Sequence, residues 1–436
     1  MSAPSKGNLL GGPVAPLAIV GVGLVSPSGF GVEALLQALL ERRCCLSVLP
    51  SAVRPGAIDR SEPADIGGRV ALAACSGFHR ASSLAIAAAS EALEQAKVRA
   101  GRISLSVGTA LGESGALERE VEAELGPLKD PAVSLVSCDS SVDAFVGEIR
   151  GKLQSTVPGA TWLSPGVFSV TCVSGLCALE QAAADLAFDR SDHAVVGGVD
   201  VLSRFMHSGF KALGALSPSG RIRPFDVHHD GILIGEAAAF LVLEPVRRAR
   251  ARDRNVLGCI VSQRLVSDAC HLTSPDPEGR GMARAISGAM SDAGLNHGEL
   301  GGVTFTAVGS AVYDRMLSRA LIEALGKNTA ERLPVSSWES ATGHLLAATG
   351  ALGYVHGVMA LCRGFLDPLW GFQERDPECR LRYVIDRPEP LAAPSVLALT
   401  VGFGGQNGAA VITSESLAAD LMARKRSRSL GEGGSS

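Results

Sequence analysis

Short apolar runs that break on glycine or proline alternate along this chain with Ala- and Leu-rich stretches of helical period. The first run, 17-LAIVGVGLVSPSG-29, ends in a polar turn and leads into a helical segment over 32–42. Residues 80–97, RASSLAIAAASEALEQAK, predict an amphipathic helix, and 103-ISLSVGTALG-112 behind them reads as strand. Charged helical stretches and a turn at Cys138, Asp139 and Ser140 precede a strand at 193-HAVVGGVD-200. The glycine-punctuated region 214–245 ends in a strand over 238–243. Past the charged segment 247-RRARARDRN-255, read as a solvated helix end rather than a nucleic-acid patch, the pattern restarts. Strand 257–268, helix 281–294, strand 302–309, helix 313–325, strand 333–337 and helix 345–364 follow in turn. Strands 395–405 and 408–414 close the series. Strands alternating with helices predict a layered α/β architecture. Residues 1–15 read as a flexible lead-in, 16–250 and 251–415 as two halves, and 416–436 as a disordered basic and Gly/Ser tail.

The two halves match in outline. Each has a strand, a polar and glycine turn, and an Ala-rich helix, with Cys172 on one turn and His344 near the other. A duplicated fold of this kind brings one reactive residue from each half to a shared centre. The stretch 167-VFSVTCVSGLCALEQAAADLAF-188 is β-branched and aromatic up to Thr171, and rich in Ala, Leu, Glu and Gln from Leu176. Cys172 therefore falls where a strand turns into a helix. Unpaired N–H groups at a helix start favour an anion, so a thiol there ionises more readily. Ser174 and Gly175 keep the turn small enough for a substrate to approach. A buried structural cysteine is the alternative reading.

Composition narrows the choice of function. The chain has 436 residues, 46% of them hydrophobic, which is ample for a large core. Its net charge of −4, from 40 basic and 44 acidic residues, makes no case for nucleic acid or a charged membrane surface. Ten scattered cysteines form no CxxC pair and no metal-ligand spacing, so a reducing cytoplasm is expected and no metal or cofactor is. The start, MSAPSKGNLLGGPVAP, does not read as a secretory signal, and no apolar span reaches membrane length. Gly21 and Gly23 resemble the start of a dinucleotide loop, but Ser26 stands at the third glycine position and Glu41 sits inside a helix.

The chain resembles the β-ketoacyl-acyl carrier protein synthases of the thiolase superfamily over roughly residues 16–415. The markers are 171-TCVSG-175, 223-RPFD-226, 235-GE-236, 268-DACHLTSP-275, 342-TGHLLAATG-350 and 402-GFGGQN-407. The resemblance implies a thiolase-like duplicated αβαβα fold and a dimer, with itself or with another ketosynthase. It implies that Cys172 accepts an acyl group from the phosphopantetheine arm of an acyl carrier protein, and that a malonyl-carrier protein then condenses with it by losing carbon dioxide. The N–H groups of Cys172 and Phe403 would form the oxyanion hole, Phe403 would gate the acyl pocket, and His344 would hydrogen-bond the enolate. Asp268 and His271 match positions beside the entrance, with a solvated loop as the alternative. Gly402, Gly404 and Asn407 belong to the same substrate-binding set.

Three positions depart from that pattern. The family's second histidine, in an HGT-type turn, is Val308 between Ala307 and Gly309. The lysine five residues before the later histidine is Glu339. Its acidic partner is replaced near Leu317, and Arg315 or Arg319 is the expected new partner of Glu339. Acyl transfer keeps its thiolate and oxyanion hole; condensation loses a donor. Three functions follow: a condensing acyltransferase, a non-elongating acyltransferase or specialised condensing enzyme, and a non-catalytic partner of an active ketosynthase.

Overall fold

The structure, a computed structural model, describes residues 15–49, 66–71, 80–118 and 141–432. The expected turn at Cys138–Ser140 and nearly all of the lead-in lie outside them. One sheet of thirteen strands runs through the molecule. In its first half Leu17–Ser26 pairs antiparallel with Ala237–Pro245, and that strand pairs antiparallel with His193–Asp200. His193–Asp200 then runs parallel to Ala100–Gly108, which runs parallel to the edge strand Gly159–Trp162. The second half repeats this order of pairings. Gln406–Thr413 pairs antiparallel with Gly258–Ser267 on one side and with Ser395–Gly402 on the other, then Gly302–Phe305 and Pro334–Ser336 continue in parallel. The halves meet where Leu17–Ser26 pairs antiparallel with Gly258–Ser267, Leu17 opposite Ile260.

The alternation of side chains along Leu17–Ser26 builds two cores. Leu17 and Ile19 enter an inner cluster while Ala18 and Val20 enter an outer one. A bulge between Ile19 and Gly21 then flips the parity, so that Val22 and Leu24 continue the inner face. The outer cluster takes Leu84, Ala88 and Ala92 from the helix Arg80–Gln95, and Met282, Ile286 and Ala289 from the helix Arg280–Ala293. The inner cluster joins Leu176, Leu179 and Leu186 of the helix Ser174–Ala187 to Ala351, Leu352 and Val355 of Ala348–Arg363. The second of these helices touches strands of both halves. The two halves of this sheet, with the helix pair between them and helices outside each, thus form the five layers of a thiolase-like duplicated α/β fold. The central pair packs closely because of Gly350: a Cβ there would stand 2.1 Å from Leu176 Cδ1.

Two sequence expectations change. The strand before Cys172 covers only Gly166–Phe168, and its helix begins at Ser174 rather than Leu176. The tail is helical over Glu415–Glu432 instead of disordered. Ala418 and Leu421, three apart, are buried on the outer core, and Arg424 bonds Glu299 at 2.7 Å. A short apolar edge, with ion pairs from Arg424 to Glu299 and from Glu415 to Arg250, anchors a segment whose overall composition is polar. Among the described residues, no helix is long and apolar enough to cross a membrane.

Candidate active site

Cys172 sits in the turn between the Gly166–Phe168 strand and the Ser174–Ala187 helix, 7% exposed. Thr171 before it is held at φ 50°, a left-handed conformation that a β-branched residue adopts only under constraint. Ser174 supplies the constraint. Its hydroxyl donates to the Thr171 carbonyl at 2.5 Å and accepts from the Val170 N–H at 2.9 Å. Thr171 Oγ1 in turn donates to the Phe403 carbonyl at 3.1 Å, which locks the turn to the hairpin between Ser395–Gly402 and Gln406–Thr413. The N–H groups of Cys172 and Phe403 have no acceptor among the described residues.

His344 comes from the other half. Gly343, at φ 79°, turns the chain out of the short helix Glu339–Thr342 and folds the imidazole back over it. His344 Nε2 lies 3.2 Å from Cys172 Sγ, and its Nδ1 lies 2.8 Å from Glu339 Oε1. Glu339 is fully buried, and its second oxygen, Oε2, has no hydrogen-bond partner among the described residues. Burial alone would lower the pKa of His344, but the adjacent Cys172 sulfur and the Glu339 carboxylate outweigh it and hold the ring up to about 10. Glu339 is itself pushed above the usual carboxylate range, first by burial and also by the nearby charge of Asp314; the bond to His344 opposes this. Thiol, imidazole and carboxylate thus stand in line, each within hydrogen-bond reach of the next.

A cavity of about 350 Å³ opens over the sulfur. Its wall is mostly apolar, from Phe210, Leu213, Ile232, Val308, Val401 and Phe403, with Thr273, Ser274, Ser310 and Tyr313 as hydroxyl-bearing residues. Phe403 stacks on Phe210 with ring centroids 5.4 Å apart. Tyr313 donates its hydroxyl to the Thr273 carbonyl at 3.0 Å. His229 also lines the cavity, clamped between Asp314 (3.0 Å) and Asp376 (3.1 Å). Among the described residues no cluster of three or more metal-ligating side chains occurs.

Residues 15–249 match the model of the beta-ketoacyl synthase N-terminal domain and 257–373 that of the C-terminal domain. The chain belongs to the beta-ketoacyl synthase family. It is 31% identical to a putative polyketide beta-ketoacyl synthase 1 of Streptomyces cyaneus, over 91% of this chain and 97% of that one. It is 28% identical to a 3-oxoacyl-[acyl-carrier-protein] synthase 2 of Coxiella burnetii, over 91% and 97%. Among solved structures, the ishigamide ketosynthase/chain length factor aligns at a TM-score of 0.77 with 25% identity, covering 92% of this chain and 99% of that one. A ketosynthase in complex with its type II polyketide acyl-carrier protein aligns at 0.79 with 23% identity, over 92% and 100%.

The site residues expected from the ketosynthase resemblance divide into two groups. Cys172, His344, Gly402 and Phe403 line the cavity. Asp268, His271, Gly404 and Asn407 do not; they tie its entrance loop together. Asn407 donates to Asp268 Oδ1 (2.8 Å), Asp268 Oδ2 accepts from the Asp276 N–H (3.0 Å), and the Gly404 N–H donates to the Leu272 carbonyl (2.7 Å). His271 is exposed and accepts the N–H groups of Thr273 and Ser274 on Nδ1, each at 3.1 Å. The expected pairing of Glu339 with Arg315 or Arg319 is also corrected. Arg315 bonds Asp376 at 2.8 Å, and Arg319 reaches Glu378, on the outward side of the helix Ala311–Leu325. Leu317 is buried in the outer core, and the acid in this region is Asp314, one turn earlier and bound to His229. Sequence reasoning missed Phe210, Tyr313 and His229. It also missed the bond from Glu339 to His344, although a carboxylate five residues before a histidine, across a glycine, was a readable signal.

Proposed function

We propose that this ketosynthase-family protein is an acyltransferase whose Cys172 takes the acyl group of a thioester carried on the phosphopantetheine arm of an acyl carrier protein. The observation that carries the reading is the 3.2 Å pair of Cys172 Sγ and His344 Nε2 beneath an apolar cavity. The sulfur attacks the thioester carbonyl carbon, and the new oxyanion falls to the N–H groups of Cys172 and Phe403. Collapse breaks the bond to the pantetheine sulfur, and the proton on His344 neutralises that leaving thiolate. The acyl chain lies among Phe210, Leu213, Ile232 and Val401. The family reaction continues by decarboxylative condensation with malonyl-carrier protein. A non-catalytic partner role is disfavoured, because such a subunit has no use for an intact thiol–imidazole pair.

Naming of one solved neighbour as a carrier protein with its ketosynthase, and of another as a ketosynthase/chain length factor, supports a carrier protein and a second ketosynthase chain as partners. A cytoplasmic setting suits the free cysteines. The test is intact-protein mass spectrometry after incubation with acyl-carrier protein. Wild type gains one acyl mass, and Cys172→Ala gains none. An adduct that persists in Cys172→Ala, or none on the wild type, rejects the assignment.

A further inference from the structure

Neutral imidazole has one N–H and one lone pair, and the group facing one nitrogen decides what the other presents. Glu339 as a carboxylate can only accept a hydrogen bond. With Oε1 2.8 Å from Nδ1 it keeps a proton there, so neutral His344 offers the lone pair of Nε2 to Cys172. A lysine at this position could only donate, which would force the proton onto Nε2. The same ring then carries opposite polarity at the atom that meets substrate. Enolate formation calls for a donor at that atom; deprotonation of an incoming O–H or N–H calls for a base.

Other residues on the cavity wall point the same way. Val308 contributes hydrocarbon beside Cys172 and His344. The Tyr313 hydroxyl is committed to the Thr273 carbonyl, and both nitrogens of His229 face carboxylates. Among the described residues lining the cavity, the hydroxyls of Thr273, Ser274 and Ser310 remain, besides His344 itself, as side-chain donors to an enolate. The charges facing His344 are those of Cys172 and Glu339, and Glu339 in turn feels Asp314, which is bound to His229. Acylation removes the charge of Cys172 and frees Nε2 to act as a base.

We infer that the acyl group leaves Cys172 for a protic oxygen or nitrogen nucleophile deprotonated by His344, with Glu339 as the residue that orients the ring, rather than for the carbanion of a decarboxylated malonyl thioester. This rests on the acyl loading proposed above. The acceptor oxygen or nitrogen bonds to the acyl carbon, and its proton passes to His344 Nε2. The C–S bond then breaks, and Cys172 departs as a thiolate against the imidazolium.

The experiment loads the protein with octanoyl-pantetheine thioester, removes excess reagent, and challenges the adduct with buffer, hydroxylamine, ethanolamine or malonyl-pantetheine. Mass spectrometry follows the adduct and its products, and released carbon dioxide is counted. In wild type, hydroxylamine or ethanolamine discharges the adduct, while malonyl-pantetheine releases no carbon dioxide above background. Glu339→Gln slows that discharge by about 10²-fold or more and flattens its pH profile, with a smaller loss in loading. Glu339→Asp restores part of both. Glu339→Lys combined with Val308→His shifts the product toward the β-ketoacyl thioester and carbon dioxide. Malonyl decarboxylation with β-ketoacyl product in wild type overturns the inference, as does discharge at the wild-type rate in a folded Glu339→Gln. Should the variants not fold, the wild-type partition between amine transfer and decarboxylation decides by itself. Absence of any wild-type adduct overturns the loading step, and this inference with it.

Discussion

His344 concentrates the chemistry of the molecule, and its titration is the most direct measure of its surroundings. Its ordinary pKa is near 6.5, and the Cys172 sulfur together with Glu339 hold it at about 10 against the opposing effect of burial. A histidine that binds its proton more tightly when folded stabilises the fold fully below its unfolded pKa. That contribution is lost as pH rises through the folded value. The stability advantage of wild type over His344→Gln is therefore expected to be a few kcal/mol near pH 6 and to fade between about pH 6.5 and 10. Urea unfolding at several pH values measures it; an advantage that grows with pH rejects the assignment. In Cys172→Ala the loss moves to lower pH, because the sulfur's charge is gone. The same side chain shows what a sequence does and does not reveal about a site. Cys172 and His344 were legible because each sits in a short local motif. The bond from Glu339 to His344 was signalled only by their spacing across a glycine, because its geometry depends on the direction in which Gly343 turns the chain. Phe210, Tyr313 and His229 reach the cavity from segments far apart in sequence, which only tertiary packing brings together.

Helices and strands were legible where an apolar period ran for eight residues or more, as in Arg80–Gln95 and His193–Asp200. Their ends were less so. The strand before Cys172 is shortened because Ser174 draws the chain into a hydrogen-bonded turn, and the Glu415–Glu432 helix is fixed by two buried apolar side chains and its ion pairs among the described residues. One sequence marker, 235-GE-236, turns out to join elements. Glu236 is fully buried at the head of the Ala237–Pro245 strand and receives Arg80 of the helix Arg80–Gln95, with Nε 3.0 Å from Oε2. It also accepts the N–H groups of Val70 (2.8 Å) and Leu202 (3.1 Å). Removing the carboxylate takes the buried counter-charge from beside the Arg80 guanidinium and the acceptor from two backbone donors. Glu236→Ala is expected to lower the unfolding free energy by about 3–5 kcal/mol. A fall in urea midpoint with unchanged slope reports it. A change below about 1 kcal/mol would show that water replaces the carboxylate and that the pair holds nothing in place.

At the scale of the whole molecule, the duplication predicted from sequence is also what makes each half depend on the other. The inner faces of Leu17–Ser26 and Ser174–Ala187 are covered by Ala348–Arg363, a helix of the second half buried along nearly its whole length. Taken alone, the first half would present Leu176, Leu179, Leu186 and Leu241 to water. At about 2 kcal/mol for each such side chain, their exposure alone costs an amount comparable to the 5–15 kcal/mol that stabilises a typical domain. It would also lose the antiparallel pairing of Leu17–Ser26 with Gly258–Ser267, leaving an open sheet edge. Residues 15–250 expressed alone are therefore expected to show no cooperative urea transition and to bind an apolar dye. Co-expression with residues 251–436 should restore both a cooperative transition and acylation of Cys172, since His344 and Phe403 arrive only with the second half. A single sharp transition in the isolated first half would mean that each half carries its own core, and that the central helix pair is a docked interface between two independent domains.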